Sequence, residues 1–216
     1  MDGRKILYKG GEGEIVEKKS RFIATLRPIA SEEEAAQFLA EIRKKYWDAR
    51  HHCSAFVLGE RGDLTRCSDD GEPSGTAGRP MLDVLTGEGL TGCMAVVTRY
   101  FGGTLLGTGG LVRAYGGAVR EGLKNCVLLT CIEGVRLVIS SDYTDLGKIQ
   151  YILGEEKATL ENTEYTDRVT STVLLPAADE ERVRKKLTDA TGGRCTIEEG
   201  GRPVLGEQSG KYMVLS

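Results

Sequence analysis

The segment RYFGGTLLGTGGLVRAY, residues 99–115, decides how the first part of this chain folds, because it leads from a strand through a glycine-rich loop into a helix. Upstream, residues 91–100 contain the run Met-Ala-Val-Val-Thr, which is typical of a buried strand. Downstream, apolar side chains recur at helical spacing and predict a helix over residues 111–123. Fourteen of the 29 glycines lie between Gly71 and Gly122, so tight turns and close backbone approaches are concentrated here.

Shorter patterns precede and follow this segment. Ser31 and Glu34 have the spacing of a capping box, and the apolar residues after them predict a helix over residues 31–45. The phrase Ser-Gly-Thr-Ala-Gly at residues 74–78 predicts the start of a short helix near residues 79–85. Alternating or short apolar runs predict strands at residues 14–18, 21–26, 53–58, 64–68 and 127–130.

The pattern changes after Cys131, where glycine becomes sparse. The predicted elements are a strand at 135–139, a helix at 142–153, a hairpin of strands 157–165 and 169–175, a helix at 179–190 and a strand at 195–199. This βαββαβ order is that of the ferredoxin-like fold. The sequence therefore predicts an α+β protein of two domains, residues 1–130 and residues 131–216.

Composition and charge exclude several classes of protein. With 40% hydrophobic and 28% charged residues, the chain is typical of a globular protein. Its formal charge of −3 excludes a strongly basic nucleic-acid coat, although residues 1–130 carry 18 basic and 17 acidic side chains, against 11 and 15 in residues 131–216. No apolar run has the length of a membrane helix or signal peptide, and the six cysteines lack zinc-site spacing. We therefore expect a cytoplasmic protein with reduced thiols, no membrane association and no metal.

The glycine-rich loop is the first candidate site. Backbone N–H groups at a helix start can hold a phosphate, because they lack partners and the helix dipole favours an anion. Arg99 and Arg113 would flank that phosphate with bidentate donors. The loop residues in question are Gly102, Gly103, Thr108, Gly109 and Gly110. Their spacing fits neither a Walker A loop nor a dinucleotide-binding fingerprint. Close packing of strand on helix would need the same glycines, so both interpretations stay open.

The acidic loop is the second candidate. Its polar residues are Asp69, Asp70, Glu72 and Ser74. Three carboxylates near one another can coordinate Mg²⁺. The structural alternative is that an aspartate accepts hydrogen bonds from backbone N–H groups while Glu72 pairs with Arg79 or Arg50. We favour the structural interpretation.

Both histidines of the chain, His51 and His52, lie close to these loops in the sequence. A neutral imidazole can act as a general base or a metal ligand. Neighbours on a strand point to opposite faces, however, so we expect one buried histidine and one that lines a cleft. A serine triad built on Ser68 or Ser74 is disfavoured because no Gly-x-Ser-x-Gly turn is present. A Cys53–His52 nucleophile is disfavoured because adjacent strand residues face apart.

Several phrases together are more specific than any one of them: DDGEPSGTAG at residues 69–78, RYFGG at 99–103, GTGGLVRAY at 107–115, and His52-x-x-Ala55. They closely resemble the IMPACT family, in its bacterial YigZ-like branch. The resemblance implies a first domain like the second domain of ribosomal protein S-five, with a left-handed βαβ crossover. It also implies a ferredoxin-like second domain similar to the last domain of elongation factor G.

The resemblance also bears on function. Eukaryotic relatives resemble translation regulators that act through a stress-kinase pathway, and nucleic-acid or ribosome binding is suspected for bacterial ones. The eukaryotic partner-binding domain has no counterpart in this sequence, so we do not expect the kinase-pathway role to transfer.

The leading hypothesis is a cytoplasmic, non-enzymatic, translation-associated factor that binds RNA or the ribosome and needs no cofactor. Its expected contacts are Arg50, His51, His52, Arg99, Tyr100, Gly102, Gly103, Thr108, Gly109, Gly110 and Arg113. One alternative is an enzyme acting on a small phosphorylated ligand, with Asp69, Asp70, Glu72 and a histidine holding Mg²⁺ or moving protons. Another is a protein-interaction module that binds its partner through residues 131–216.

Overall fold

A computed structural model describes residues 3–215 and confirms the predicted two-domain α+β fold. One compact unit runs from Arg4 to Leu129, and the other holds the chain from Thr130 onward together with Gly3. The division falls within one continuous strand, Val127–Ser141. We call the two parts the N-terminal and C-terminal units.

The N-terminal unit combines strands and helices in an order close to that predicted. Its elements are β1 (Arg4–Lys9), β2 (Gly11–Glu17), β3 (Ser20–Pro28), α1 (Glu32–Lys45), β4 (His51–Leu58), β5 (Leu64–Ser68), α2 (Gly78–Gly87), β6 (Leu90–Thr91), β7 (Cys93–Tyr100) and α3 (Thr108–Leu123). Helix α1 begins as the capping box predicts, because the Glu34 N–H donates to the Ser31 hydroxyl over 3.2 Å. Strand β1 was not predicted, and it pairs with only two residues of β6.

An antiparallel sheet of five strands, in the order β2-β3-β7-β4-β5, forms the centre of the N-terminal unit. Successive residues of β4 and β7 point to opposite faces, and both faces are buried. Helix α1 covers one face, where Phe38 packs with Phe56. Helices α2 and α3 cover the other face, where Phe22 meets the edge of Tyr115 with ring centres 5.2 Å apart.

Two glycines allow α3 to pack closely on the sheet. A Cβ at Gly13 of β2 would lie 2.5 Å from the backbone nitrogen of Gly122, closer than real Cβ atoms come. A Cβ at Gly122 would collide with Leu26. Helix and strand can approach this closely only because both positions lack a side chain.

The C-terminal unit contains the predicted βαββαβ order. Its elements are the part of β8 (Val127–Ser141) from Thr130 onward, α4 (Leu146–Glu155), β9 (Thr159–Tyr165), β10 (Val169–Pro176), a 3₁₀ turn (Ala177–Asp179), α5 (Glu180–Thr191), β11 (Thr196–Gly201), β12 (Val204–Gln208) and β13 (Lys211–Val214). Strands β11, β8, β10 and β9 pair antiparallel in that order, which gives a ferredoxin-like sheet. The hairpin β12–β13 was not predicted and extends the pairing along β8.

Two further predictions needed correction in this unit. The sequence predicted separate strands at 127–130 and 135–139, but β8 passes through Gly134, where a Cβ would collide with Leu205. The predicted helix 142–153 begins only at Leu146, and the Asp145 side chain does not cap it. Instead Asp145 is buried and accepts two hydrogen bonds from Arg194, over 2.8 and 2.9 Å. This ion pair lowers the pKa of Asp145 and fastens the start of α4 to the chain after α5.

Candidate functional site

One end of the five-stranded sheet gathers most of the residues that the sequence singled out. His51, the first residue of β4, lies opposite Arg99 near the end of β7, and Arg21 of β3 lies opposite Tyr100. The acidic loop reaches the same place, because the His51 Nδ1 atom is 2.8 Å from the Asp70 carbonyl oxygen. We call this region the loop end: the β2–β3 turn, residues 46–51, the acidic loop 69–78 and residues 99–113.

Arg99 is inside the protein rather than on its surface. Only 6% of the residue is exposed, and its Nη1 atom donates to Glu72 Oε1 over 2.5 Å. The Tyr115 hydroxyl donates to the same oxygen over 2.8 Å. The Arg99 guanidinium also lies 5.4 Å from the Phe22 ring centre and 5.5 Å from that of Phe101. Arg99 is thus an internal cation in this structure, and it does not offer its guanidinium to a phosphate as the sequence suggested.

Glu72, 9% exposed, belongs to the same buried ion pair. Pairing with Arg79 or Arg50 was the expectation, but Arg79 instead binds Asp83 over 2.8 Å, one helical turn away on α2. Buried charges require partners of this kind, because removing either one leaves the other desolvated and uncompensated. Glu72 therefore fixes the acidic loop to β7 and α3.

Asp69 organises the start of α2. Its Oδ1 atom accepts hydrogen bonds from the N–H groups of Ala77 and Gly78 over 2.9 and 2.8 Å, and Oδ2 accepts one from Gly75 over 2.8 Å. Burial alone would raise the pKa of this carboxyl, but the three backbone donors lower it. In this structure Asp69 stabilises the loop and the helix start.

Asp70 is the third acidic residue of this loop whose carboxylate accepts hydrogen bonds from the protein. Its Oδ2 atom accepts from the backbone N–H of His52 over 2.6 Å, and Oδ1 from Arg43 over 2.7 Å. Ser74 is exposed and makes no side-chain hydrogen bond within residues 3–215. No cluster of three metal-ligating side chains occurs in that same range. The three carboxylates of the acidic loop are bound by donors of the protein itself, which agrees with the structural interpretation.

The two histidines point to opposite sides of the sheet. His52 is buried, its Nε2 atom lies 3.1 Å from the Tyr46 carbonyl oxygen, and burial lowers its pKa. His51 is partly exposed, and its Nδ1 must carry a proton to bond the Asp70 carbonyl.

The Cys53 thiol donates to the Asp69 carbonyl, and burial raises the pKa of this thiol to about 12. No thiolate nucleophile is available there at neutral pH.

The first turn of α3 is open to solvent. Gly107 precedes it with a φ of +72° and supplies no side-chain cap. Within residues 3–215 the N–H groups of Thr108, Gly109 and Gly110 have no hydrogen-bond acceptor. Arg113 is exposed, and its Nη1 atom lies 3.7 Å from where a Cβ on Gly109 would be. The structure therefore brings a guanidinium beside unpaired donors at a helix start.

The β2–β3 turn adds two cations that sequence reasoning missed. Lys18 and Lys19 form a two-residue hairpin turn with φ values of +45° and +68°. Such turns favour asparagine and glycine, so two lysines with positive φ are strained there. A Cβ at Gly102 would collide with the Lys19 carbonyl, which shows how closely the turn packs on the glycine-rich loop. The sequence feature that could have identified this cationic turn is the pair of lysines between two segments of alternating apolar and polar residues.

Two aromatic side chains of the loop end are also exposed. Trp47 is 81% exposed, and Phe101 is 52% exposed. The segments that carry them touch, because the Tyr100 hydroxyl donates to Asp48 over 2.7 Å. Phe101 belongs to a motif noted in the sequence, but nothing in its spacing showed that its ring would face solvent.

Within residues 3–215, four basic side chains of the loop end have no carboxylate partner. Lys18, Lys19, Arg50 and Arg113 are exposed and form no ion pair within the described part of the chain. Arg43 and Arg99, by contrast, are paired with Asp70 and Glu72. Unpaired cations next to free backbone donors can bind a polyanion.

Fold and site together define a two-domain α+β protein whose glycine-rich, cationic N-terminal unit precedes a ferredoxin-like unit. The family described as "Impact N-terminal domain" matches residues 18–123, and the "Domain of unknown function (DUF1949)" matches residues 139–194. The chain belongs to the IMPACT family.

Relatives agree over nearly the whole chain. The IMPACT family member YvyE of Bacillus subtilis is 43% identical over 89% of this chain and 88% of its own length. The IMPACT family member YigZ of Escherichia coli is 42% identical over 83% and 89%. A crystal structure of a hypothetical protein, 39% identical, superposes with a TM-score of 0.58 and covers 91% of this chain and 97% of its own. No helix in residues 3–215 is long and apolar enough to cross a membrane.

Proposed function

We propose that this protein is a cytoplasmic, translation-associated regulatory factor that binds RNA, free or in the ribosome, through the loop end. The observation that carries the proposal is the open first turn of α3 with the exposed Arg113 guanidinium beside it, together with three further cations of the loop end, Lys18, Lys19 and Arg50, that have no ion-pair partner within residues 3–215. Its connection with translation rests on the resemblance to translation regulators of the same family.

Electrostatics favours RNA over a neutral ligand at this surface. Each phosphate that meets a lysine or arginine releases counterions, so binding weakens steeply as salt rises. Exposed cations that already have carboxylate partners contribute little to this effect, whereas Lys18, Lys19, Arg50 and Arg113 have none within the described residues. Because the whole chain carries a formal charge of −3, we expect modest affinity confined to this region.

The buried residues of the loop end support that surface. Arg99 and Glu72 fix the acidic loop to β7, while Asp69 and Asp70 fix it to α2 and β4. These residues position the phosphate-binding groups and are not offered to the ligand. The contacts that we assign to RNA are Arg50, His51, Arg113, the two lysines of the turn and the N–H groups of Thr108, Gly109 and Gly110.

The direct test compares two arginines of one helix. Arg113→Ala is expected to reduce the slope of log affinity against log salt for a single-stranded RNA by about 0.7, the value of one phosphate contact. Arg120→Ala removes the same charge seven residues further along α3, also from an exposed position, and should leave the slope unchanged. Filter binding from 25 to 200 mM salt measures both. Equal slopes for the two variants would reject the proposal.

The strained turn offers a variant in which stability and binding change in opposite directions. Replacing Lys18 with asparagine and Lys19 with glycine gives the residues that a positive-φ turn prefers, so the folded state should gain about 0.5–2 kcal/mol. The same change removes two phosphate contacts and should reduce the salt slope by about 1.4. Thermal unfolding and filter binding measure the two effects. A more stable variant with undiminished RNA affinity would show that the turn does not contact RNA.

A further inference from the structure

Phe101 has one face held by the protein and the rest of its ring open. The Arg99 guanidinium lies 5.5 Å from the ring centre, and Arg99 is itself fixed by Glu72. The side chain nevertheless remains 52% exposed. An exposed aromatic ring that already packs on a fixed guanidinium loses little conformational freedom when a second ring stacks on it.

The backbone of the lysine turn lies against the residue that follows this ring. Gly102, the next residue, packs against the backbone of Lys19. The residue before Phe101, Tyr100, donates to Asp48, which follows the exposed Trp47 in the sequence. Apolar rings next to unpaired cations are the combination that single-stranded nucleic acid requires, since a base stacks on the ring while its phosphate meets the charge. Duplex RNA keeps its bases stacked internally and cannot use such a ring.

We infer that the loop end binds single-stranded RNA in particular, with an unstacked base on the exposed face of Phe101 and the adjoining phosphates on the cations of the β2–β3 turn. This inference rests on the proposed function and adds the class of RNA and the contact that selects it. Trp47 is exposed, precedes Asp48, which accepts a hydrogen bond from Tyr100, and is the only tryptophan of the chain, so we use its fluorescence to report occupation.

The experiment uses the full chain and two synthetic ligands of equal phosphate number. One is a single-stranded oligoadenylate of eight nucleotides, and the other is the same ribose-phosphate backbone without bases. Quenching of Trp47 fluorescence and anisotropy of labelled ligand give the affinities at 50 mM salt. The ligand with bases should bind about 5- to 150-fold more tightly, corresponding to about 1–3 kcal/mol for one stacked base.

Variants of Phe101 show whether that ring is responsible. Phe101→Ala should bring the oligoadenylate down to the affinity of the abasic ligand, while binding of the abasic ligand and the salt slope stay unchanged. Phe101→Tyr keeps a ring and should keep the preference.

Two results would contradict the inference. Equal affinity of wild type for both ligands would overturn the stacking site and leave phosphate binding intact. Failure to bind either ligand at 25 mM salt would overturn the proposed function together with it. The comparison in wild type needs no variant, so a folding defect of Phe101→Ala cannot obscure the result.

Discussion

Replacing Glu72 with alanine is expected to lower the free energy of unfolding of the N-terminal unit by about 3–5 kcal/mol, the range for breaking a buried ion pair from one side. The substitution leaves the Arg99 guanidinium buried without its carboxylate, and it removes the acceptor of the Tyr115 hydroxyl. Arg99 is 6% exposed and Tyr115 is fully buried, so water does not fully replace the lost contacts. Urea unfolding followed by circular dichroism measures the effect.

Glu17 provides the control for this measurement. It is exposed at the end of β2 and forms no ion pair within the described chain, so Glu17→Ala should change the free energy of unfolding by less than about 0.5 kcal/mol. If Glu72→Ala were as mild as Glu17→Ala, Arg99 would not depend on Glu72, and the account of a rigid support beneath the loop end would be wrong.

The second large effect is expected at Asp69. Asp69→Ala removes the acceptor for three backbone N–H groups at the start of α2, and we expect a loss of about 2–4 kcal/mol of stability from unpaired donors near a helix start. Ser74→Ala is the matched control in the same loop, since its side chain makes no hydrogen bond within residues 3–215. Thermal unfolding of both variants at pH 7 measures the difference.

The stabilisation by the Asp69 carboxylate should be lost at acid pH. The pKa of Asp69 is lowered in the folded protein, so its contribution to stability is complete above the unfolded value of about 3.9 and is lost as pH falls through the folded value. The difference in free energy of unfolding between wild type and Asp69→Asn should therefore shrink below about pH 4. A difference that is constant from pH 6 to pH 2 would contradict the assignment of this carboxylate as the cap of α2.

Much of the fold could be predicted because its signals are local. The capping box of Ser31 and Glu34 fixes the start of α1, and the apolar run in β7 identifies a central strand from its neighbours alone. The missed elements depend on distant partners. Strand β1 pairs over two residues with β6, and the polar hairpin β12–β13 acquires its conformation by pairing with β8. Strand pairing between remote segments leaves little trace in a short window of sequence.

The candidate site likewise has features that the local sequence predicts and features that depend on the fold. Sequence spacing suggested that loops, histidines and arginines belong together, and strand register brings His51 opposite Arg99. Which arginine is buried could not be predicted, because the pairing of Glu72 with Arg99 depends on a fold that joins positions 27 residues apart. The exposure of Phe101 and the strain at Lys18 and Lys19 are likewise properties of the backbone path.

The central claim, that the loop end binds RNA through free cations and the open start of α3, is tested most directly by nuclear magnetic resonance. The ¹⁵N-labelled full chain is titrated with a single-stranded RNA at 50 mM salt, and amide shifts are assigned by residue. We predict the largest shifts at Lys18 and Lys19, at Phe101 and at Thr108, Gly109 and Gly110. Shifts confined to the C-terminal unit, or shifts that leave these six amides unmoved at saturation, would contradict it.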